Sequence, residues 1–251
     1  MWIIDPDKRF SYTQASDAVK KTDTLLISVI ETWSSTLFRQ AVLGKDTDWL
    51  EKVRPDLRSS ALTLMAAYSE VVARYAQVQS IIQDTWKIYF MTRKYPWHGT
   101  TVGKSDHFHF LWLSFTHHCY LFEERVKRFY SAWRELRHLS KLSEVEGGDH
   151  IKVLTKRLNE YIKHRGVHTH QWNVIHKSYS TYQILAHLAE HDDEYQNQAS
   201  SHYYETKQGI MAHIASGVGM MAEEFFGLKG NPHLKLKELV PVLNRSIFEP
   251  T

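Results

Sequence analysis

Cysteine is almost absent: Cys119 is the single one in 251 residues. One thiol excludes an intrachain disulfide framework and a multi-cysteine zinc module, and it fits a reducing cytoplasm. Glycine (11) and proline (6) are too scarce for a collagen-like or low-complexity chain. No apolar run reaches the roughly 18 residues that a transmembrane helix needs, so no membrane span is expected. The opening residues Met1-Trp2-Ile3-Ile4-Asp5-Pro6-Asp7 are too short and too acidic for a signal peptide. Strand-like alternation is missing beyond the first dozen residues, and there is no internal repeat and no Gly/Pro/Ser linker. Strong charge imbalance is missing too. A net charge of +3 and a pI near 8.8 do not describe a dedicated DNA coat.

What remains is ordinary globular chemistry, 43% hydrophobic and 24% charged, in 29.5 kDa. That size suits one large domain or two small ones and a sizeable core. Histidine is the unusual count, at 16. Net charge should therefore rise steeply below about pH 6.5.

The apolar pattern is helical almost throughout. Ser59-Ser60 can cap a helix, and Leu64, Tyr68, Val71, Tyr75, Val78, Ile82, Thr85 and Tyr89 follow in steps of three and four. Pro96 stops that helix within the stretch Arg93 to His98. Phe108, Leu111, Phe115, Cys119, Phe122, Val126, Phe129, Trp133 and Leu136 form the next stripe, the strongest in the chain. Two long helices with a short connection should pair antiparallel. Further helices are expected over 15–42, through Ile151 to Tyr161, through Trp172 to Leu185, and over 200–226, ended by Gly227 and Gly230. The fold class expected is all-α, a helical bundle on a long antiparallel hairpin. Residues 1–58 would be an N-terminal helical extension, 59–230 the bundle and 231–251 a tail.

Charge is uneven. From Tyr120 to Arg165 there are eleven Lys/Arg and seven Asp/Glu; from Ala186 to Glu205 there are five Asp/Glu and no Lys/Arg. A basic face for an anion and an acidic face for a protein partner is one reading, and solvated helix faces are the plainer one.

The densest polar cluster is Lys163-His164-Arg165-Gly166-Val167-His168-Thr169-His170-Gln171-Trp172-Asn173. On an unbroken helix Arg165 and His170 would project about 140° apart. Gly166 permits a bend that brings both to one pocket. His168, three residues from Arg165, shares its face regardless. Arginine offers a planar fork of donors for phosphate, and histidine moves protons near neutrality. Together they suit RNA cleavage in which the 2′-hydroxyl attacks its own phosphodiester, with no metal or other cofactor.

Arg165 followed by four residues and then His170 resembles the Arg-x4–6-His signature of the HEPN-superfamily ribonucleases. The order of a long hairpin, a shorter helix and then the motif resembles that family's all-α core. The resemblance implies a metal-independent endoribonuclease in a defence or toxin–antitoxin setting, acting as a homodimer whose two motifs face one cleft. It implies RNA as substrate, a restraining antitoxin or regulatory protein as partner, and a cytoplasmic location without membrane contact. By resemblance Arg165 clamps phosphate and His170 is the catalytic acid/base. His168 would assist catalysis, while Lys163, His164 and Asn173 would support substrate binding. Gly166 stands where the family usually has a polar residue, and His164 or His168 would have to replace it.

Two other readings stay open. A non-catalytic helical module would use the acidic Glu190 to Glu194 segment as a partner surface. A metal-binding bundle would draw on Asp106, His107, His109, His117, His118, Glu123, Glu124, His213, Glu223 and Glu224. Against it, neither Glu123 nor Glu124 begins a Glu-x-x-His pair. His118 is expected as a hydrogen-bonded core residue and His117 as solvent-facing. Trp86, Tyr89, Phe90, Tyr95 and Trp97 would stack bases or, more simply, build core.

Overall fold

A computed structural model describes residues 11–34, 58–94, 103–139, 152, 155–159 and 177–226. Five α-helices run through them: α1 (Tyr12–Ser34), α2 (Arg58–Arg93), α3 (Lys104–Leu139), α4 (Lys177–Ala189) and α5 (Gln196–Phe226). A 3-10 turn, Asp193–Tyr195, joins α4 to α5, and residues 155–159 are also helical. No strand occurs among the described residues, so the fold is all-α. None of the described helices is long and apolar enough to cross a membrane.

The two longest helices carry a strict seven-residue repeat. In α2, Val71, Val78, Thr85 and Thr92 are all fully buried, and Tyr68, Tyr75, Ile82 and Tyr89 fill the alternate positions. In α3, Phe108, Phe115, Phe122, Phe129 and Leu136 recur every seventh residue with at most 1% exposed. A period of 3.5 keeps one seam facing a neighbouring helix along the whole length. Each fully buried phenylalanine contributes about 1.5–3 kcal/mol, so this seam is the main source of stability. The buried threonines satisfy themselves within the helix: Thr85 and Thr92 hydroxyls donate to the carbonyls of Ile81 (2.6 Å) and Ile88 (2.8 Å).

Packing gathers the described residues into two compact units, and helices α1, α2, α3 and α5 contribute residues to both. The first unit holds 11–19, 81–94, 103–123, 155–159 and 177–221. There Thr85 meets His118, and Met91 meets His107. One number rises as the other falls, so α2 and α3 run antiparallel. Phe108 meets Tyr203, and Trp112 meets His213, so α3 and α5 run parallel. Tyr12 of α1 lies over the stacked Trp86–Tyr89 pair, with ring centroids 5.5 and 5.4 Å away. Tyr182 of α4 closes on Phe108 and Tyr203. From His213 to Met221 every residue of α5 is buried, which makes this stretch an internal helix. Gly217 and Gly219 are buried within it.

The second unit holds 20–34, 58–80, 124–139, 152 and 222–226. Its centre is Tyr75 against Phe129, Phe225 and Phe226, at 5.9, 5.6 and 5.4 Å between centroids. Arg125 donates to the Gln77 carbonyl at 2.8 Å, again with α2 and α3 antiparallel. Gln79 donates to the Asp23 carboxylate, tying α1 to α2.

The hairpin is therefore as the stripes predict. The last helix starts at Gln196 rather than Ser200, because Asp192 caps the preceding 3-10 turn by accepting the Glu194 N–H and that turn feeds directly into it. Residues 35–42 and 172–176, expected to be helical, lie outside the described residues.

Candidate functional site

Arg165, His168 and His170, with Lys163, His164 and Asn173, all lie outside the described residues, and so do Tyr95 and Trp97. Among the described residues, cationic and aromatic groups converge in the first unit, at the end where α2 stops and α3 begins. Arg93 stands in the last turn of α2, where a cation suits the negative end of the helix dipole. Lys104 opens α3 just after Gly103, whose carbonyl accepts the His107 N–H at 3.0 Å. Tyr203 and Lys207 come from α5, four residues and thus about one turn apart.

Tyr203 is the organiser. Its ring is 7% exposed and stacks on Phe108 at 5.1 Å, which fixes its plane. The Lys104 ammonium lies 4.9 Å from its centroid and the Lys207 ammonium 5.9 Å. Both fall within reach of the ring's negative face. Tyr204, 61% exposed, meets Tyr203 edge to face at 5.4 Å and offers an open ring beside the cations.

The charges of Arg93 and Lys207 act on each other. Burial lowers the Lys207 pKa from its ordinary value, and the Arg93 guanidinium lowers it further. His107 is also pushed down, first by burial, then by the Lys207 charge, against a rise from its bond to Met91. That bond joins Nε2 to the Met91 carbonyl at 3.3 Å. A carbonyl only accepts, so Nε2 carries the proton in this contact. Lys207 is half-buried and the charge acting on it has its own sign. An anion laid across such a group would offset that repulsion. The arrangement therefore suits a phosphate accompanied by a flat, stackable group.

Sequence reasoning missed this site. Its residues come from three helices, and the charge count along the chain pointed to Tyr120 to Arg165 instead. The one linear signal was the pair Tyr203 and Lys207 at helical spacing, a spacing too common to stand out.

The residues of the metal-bundle reading are not brought together. The single group of three metal-type donors among the described residues is His187, Glu190 and His191, which that reading did not include. The Thr85 hydroxyl, already donating to Ile81, accepts from His118 Nδ1 at 3.4 Å. His213 is packed against Trp112 and Phe115 at 4.9 and 5.9 Å. Glu123 accepts from the Thr155 hydroxyl at 3.2 Å, and Glu124 pairs with Lys127 at 3.3 Å. His117 is exposed, as its position predicts. Trp86 and Tyr89 are core, each 8% exposed, and Phe90 at 38% keeps an open face. Cys119 is fully buried, and that burial raises its thiol pKa, so it is not a poised nucleophile. No family model, no curated protein and no solved structure matches the chain.

Proposed function

We propose that the chain is a metal-independent, HEPN-like endoribonuclease that works as a homodimer in the cytoplasm, in a defence or toxin–antitoxin role. The observation that supports it is the convergence of Lys104 and Lys207 on Tyr203, with the Arg93 charge acting on Lys207 and Tyr204 open beside them. Crowded cations next to aromatic faces are what a single-stranded RNA backbone and its bases require. The all-α hairpin agrees with the same reading.

In this reading His170 removes the proton from a ribose 2′-hydroxyl, whose oxygen attacks the adjacent phosphorus. The bond from phosphorus to the 5′-oxygen breaks, and the leaving 5′-oxygen takes a proton from the histidine of the partner copy. Arg165 holds the phosphate oxygens as their charge grows. His168 assists the proton transfers, while Lys163, His164 and Asn173 hold the substrate strand. The products are a 2′,3′-cyclic phosphate and a 5′-hydroxyl.

The test is cleavage of total RNA in EDTA by purified wild type and by His170→Ala. Cleavage by wild type alone, leaving 2′,3′-cyclic ends, is expected. Equal cleavage by both proteins, or cleavage that EDTA abolishes, refutes the mechanism. Binding of RNA without cleavage by either points to an interaction module built on the same cationic site.

A further inference from the structure

The helix α4 ends on a turn that sets three donor side chains together. The Glu190 N–H donates to the His187 carbonyl at 3.2 Å, and the His191 and Asp192 N–H groups both donate to the Leu188 carbonyl at 3.0 Å. The backbone thus keeps near-helical spacing through His191, although regular helix stops at Ala189. His187 and His191, four residues apart, fall about one turn from each other, with ring centroids 5.2 Å apart. The Glu190 carboxylate lies 3.5 Å from His187 Nδ1. One donor atom from each of the three residues lies within 4.8 Å of the other two.

These distances suit a small cation. Nitrogen and oxygen ligands sit about 2.0–2.2 Å from zinc, so ligand atoms in a tetrahedral site are roughly 3.4 Å apart. Closing from 4.8 Å to that spacing needs only rotation about side-chain torsions. The side chains are free to make it, because His187 and Glu190 are 71% and 70% exposed. Exposure also leaves room for water to complete the coordination. The surroundings favour a cation as well. Asp192, Asp193 and Glu194 follow directly, and no Lys or Arg occurs from Ala186 to Glu205. The Asp192 and Asp193 carboxylates brace the turn, accepting from the Glu194 N–H at 3.0 Å and from Gln196 Nε2 at 2.5 Å.

We propose that His187, Glu190 and His191 form a binding site for a divalent first-row transition-metal ion of the zinc, nickel or cobalt type. Two imidazoles and one carboxylate select such ions over magnesium and calcium, which take oxygen ligands. The ion clamps the end of α4 to the turn that leads into α5. The site goes beyond the RNase reading and supplies nothing to its chemistry.

The test is calorimetric titration of the whole chain with zinc chloride. It compares wild type, Glu190→Gln, and a double variant carrying His187→Gln and His191→Gln. All three changes are on exposed side chains, so unchanged far-UV circular dichroism without metal is expected. The double variant should bind one zinc fewer per chain than wild type. Glu190→Gln should keep that zinc with affinity weakened about tenfold or more. Excess magnesium should not displace it. Equal zinc stoichiometry in wild type and the double variant overturns the proposal. So does displacement of that zinc by magnesium.

Discussion

The cationic site makes a quantitative demand on salt dependence. Each phosphate held by a cation contributes about 0.7 to the slope of log affinity against log salt for a single strand. Arg93, Lys104 and Lys207 together should contribute a slope of about 2, so their share of the affinity falls roughly 20-fold from 50 to 200 mM salt. Lys207→Met removes one contact while keeping an unbranched apolar side chain at the position. The slope should drop by about 0.7, leaving a fall of roughly 7-fold over the same range for the remaining two. The measurement is fluorescence anisotropy of a labelled single-stranded RNA across that range. The His170→Ala background prevents cleavage, and Lys87→Met serves as control, since Lys87 is an exposed lysine paired with Asp84. The thermal midpoint supplies a second readout. Lys207 is half-buried under repulsion from Arg93, so its neutral replacement should leave stability unchanged or raise it. An unchanged salt slope with Lys207→Met refutes the phosphate assignment. A slope lost equally with Lys87→Met reduces the effect to net charge.

The second unit offers a paired test of packing. The buried Tyr75 hydroxyl has no hydrogen-bond partner among the described residues, so Tyr75→Phe should stabilise by about 1 kcal/mol and raise the thermal midpoint by about 2–4 °C. Phe129→Ala, at the centre of the same cluster, should cost about 3–5 kcal/mol in chemical denaturation. His107 titrates below its ordinary value in the folded chain, so the unfolded chain takes up its proton first as pH falls. Its contribution to stability is complete above the unfolded value and is lost from about pH 6.5 downwards. The stability difference between wild type and His107→Gln, followed by urea melts from pH 8 to pH 5, should therefore shrink as pH falls.

The long hairpin was legible because its heptads concentrate the largest apolar side chains on one seam. Phe108, Phe115, Phe122 and Phe129 declare a buried face with no knowledge of what covers it. The partner of that face was not legible. That α5 runs parallel to α3, with Tyr203 on Phe108 and His213 on Trp112, depends on connections whose geometry local spacing does not encode. The same limit explains the missed cationic site, since nothing in the order of residues joins Arg93 and Lys104 to Lys207. The donors at the end of α4 and in the turn after it were a different failure. His187, Glu190 and His191 are neighbours in sequence, but the acidic run beside them drew the eye to charge rather than to ligand spacing.

Histidine abundance looked like one signal and resolves into several chemistries, separated by burial. His107 and His213 are core groups. Burial lowers the pKa of the first, whose Nε2–H donates to a carbonyl; the second packs as an aromatic plate against Trp112. His118 donates to a threonine that is itself saturated by its own helix. His187 and His191 are exposed and keep one turn's spacing beside a carboxylate. A catalytic acid/base needs both a proton available near neutrality and access to substrate. Buried His107 and His213 fail on access. His187 and His191 are exposed, but the stretch Ala186 to Glu205 around them carries no Lys or Arg. The proposed mechanism keeps the catalytic role with Arg165 and His170, which lie outside the described residues. Single alanine variants of His107, His118, His187 and His213 should each leave RNA cleavage within a few-fold of wild type.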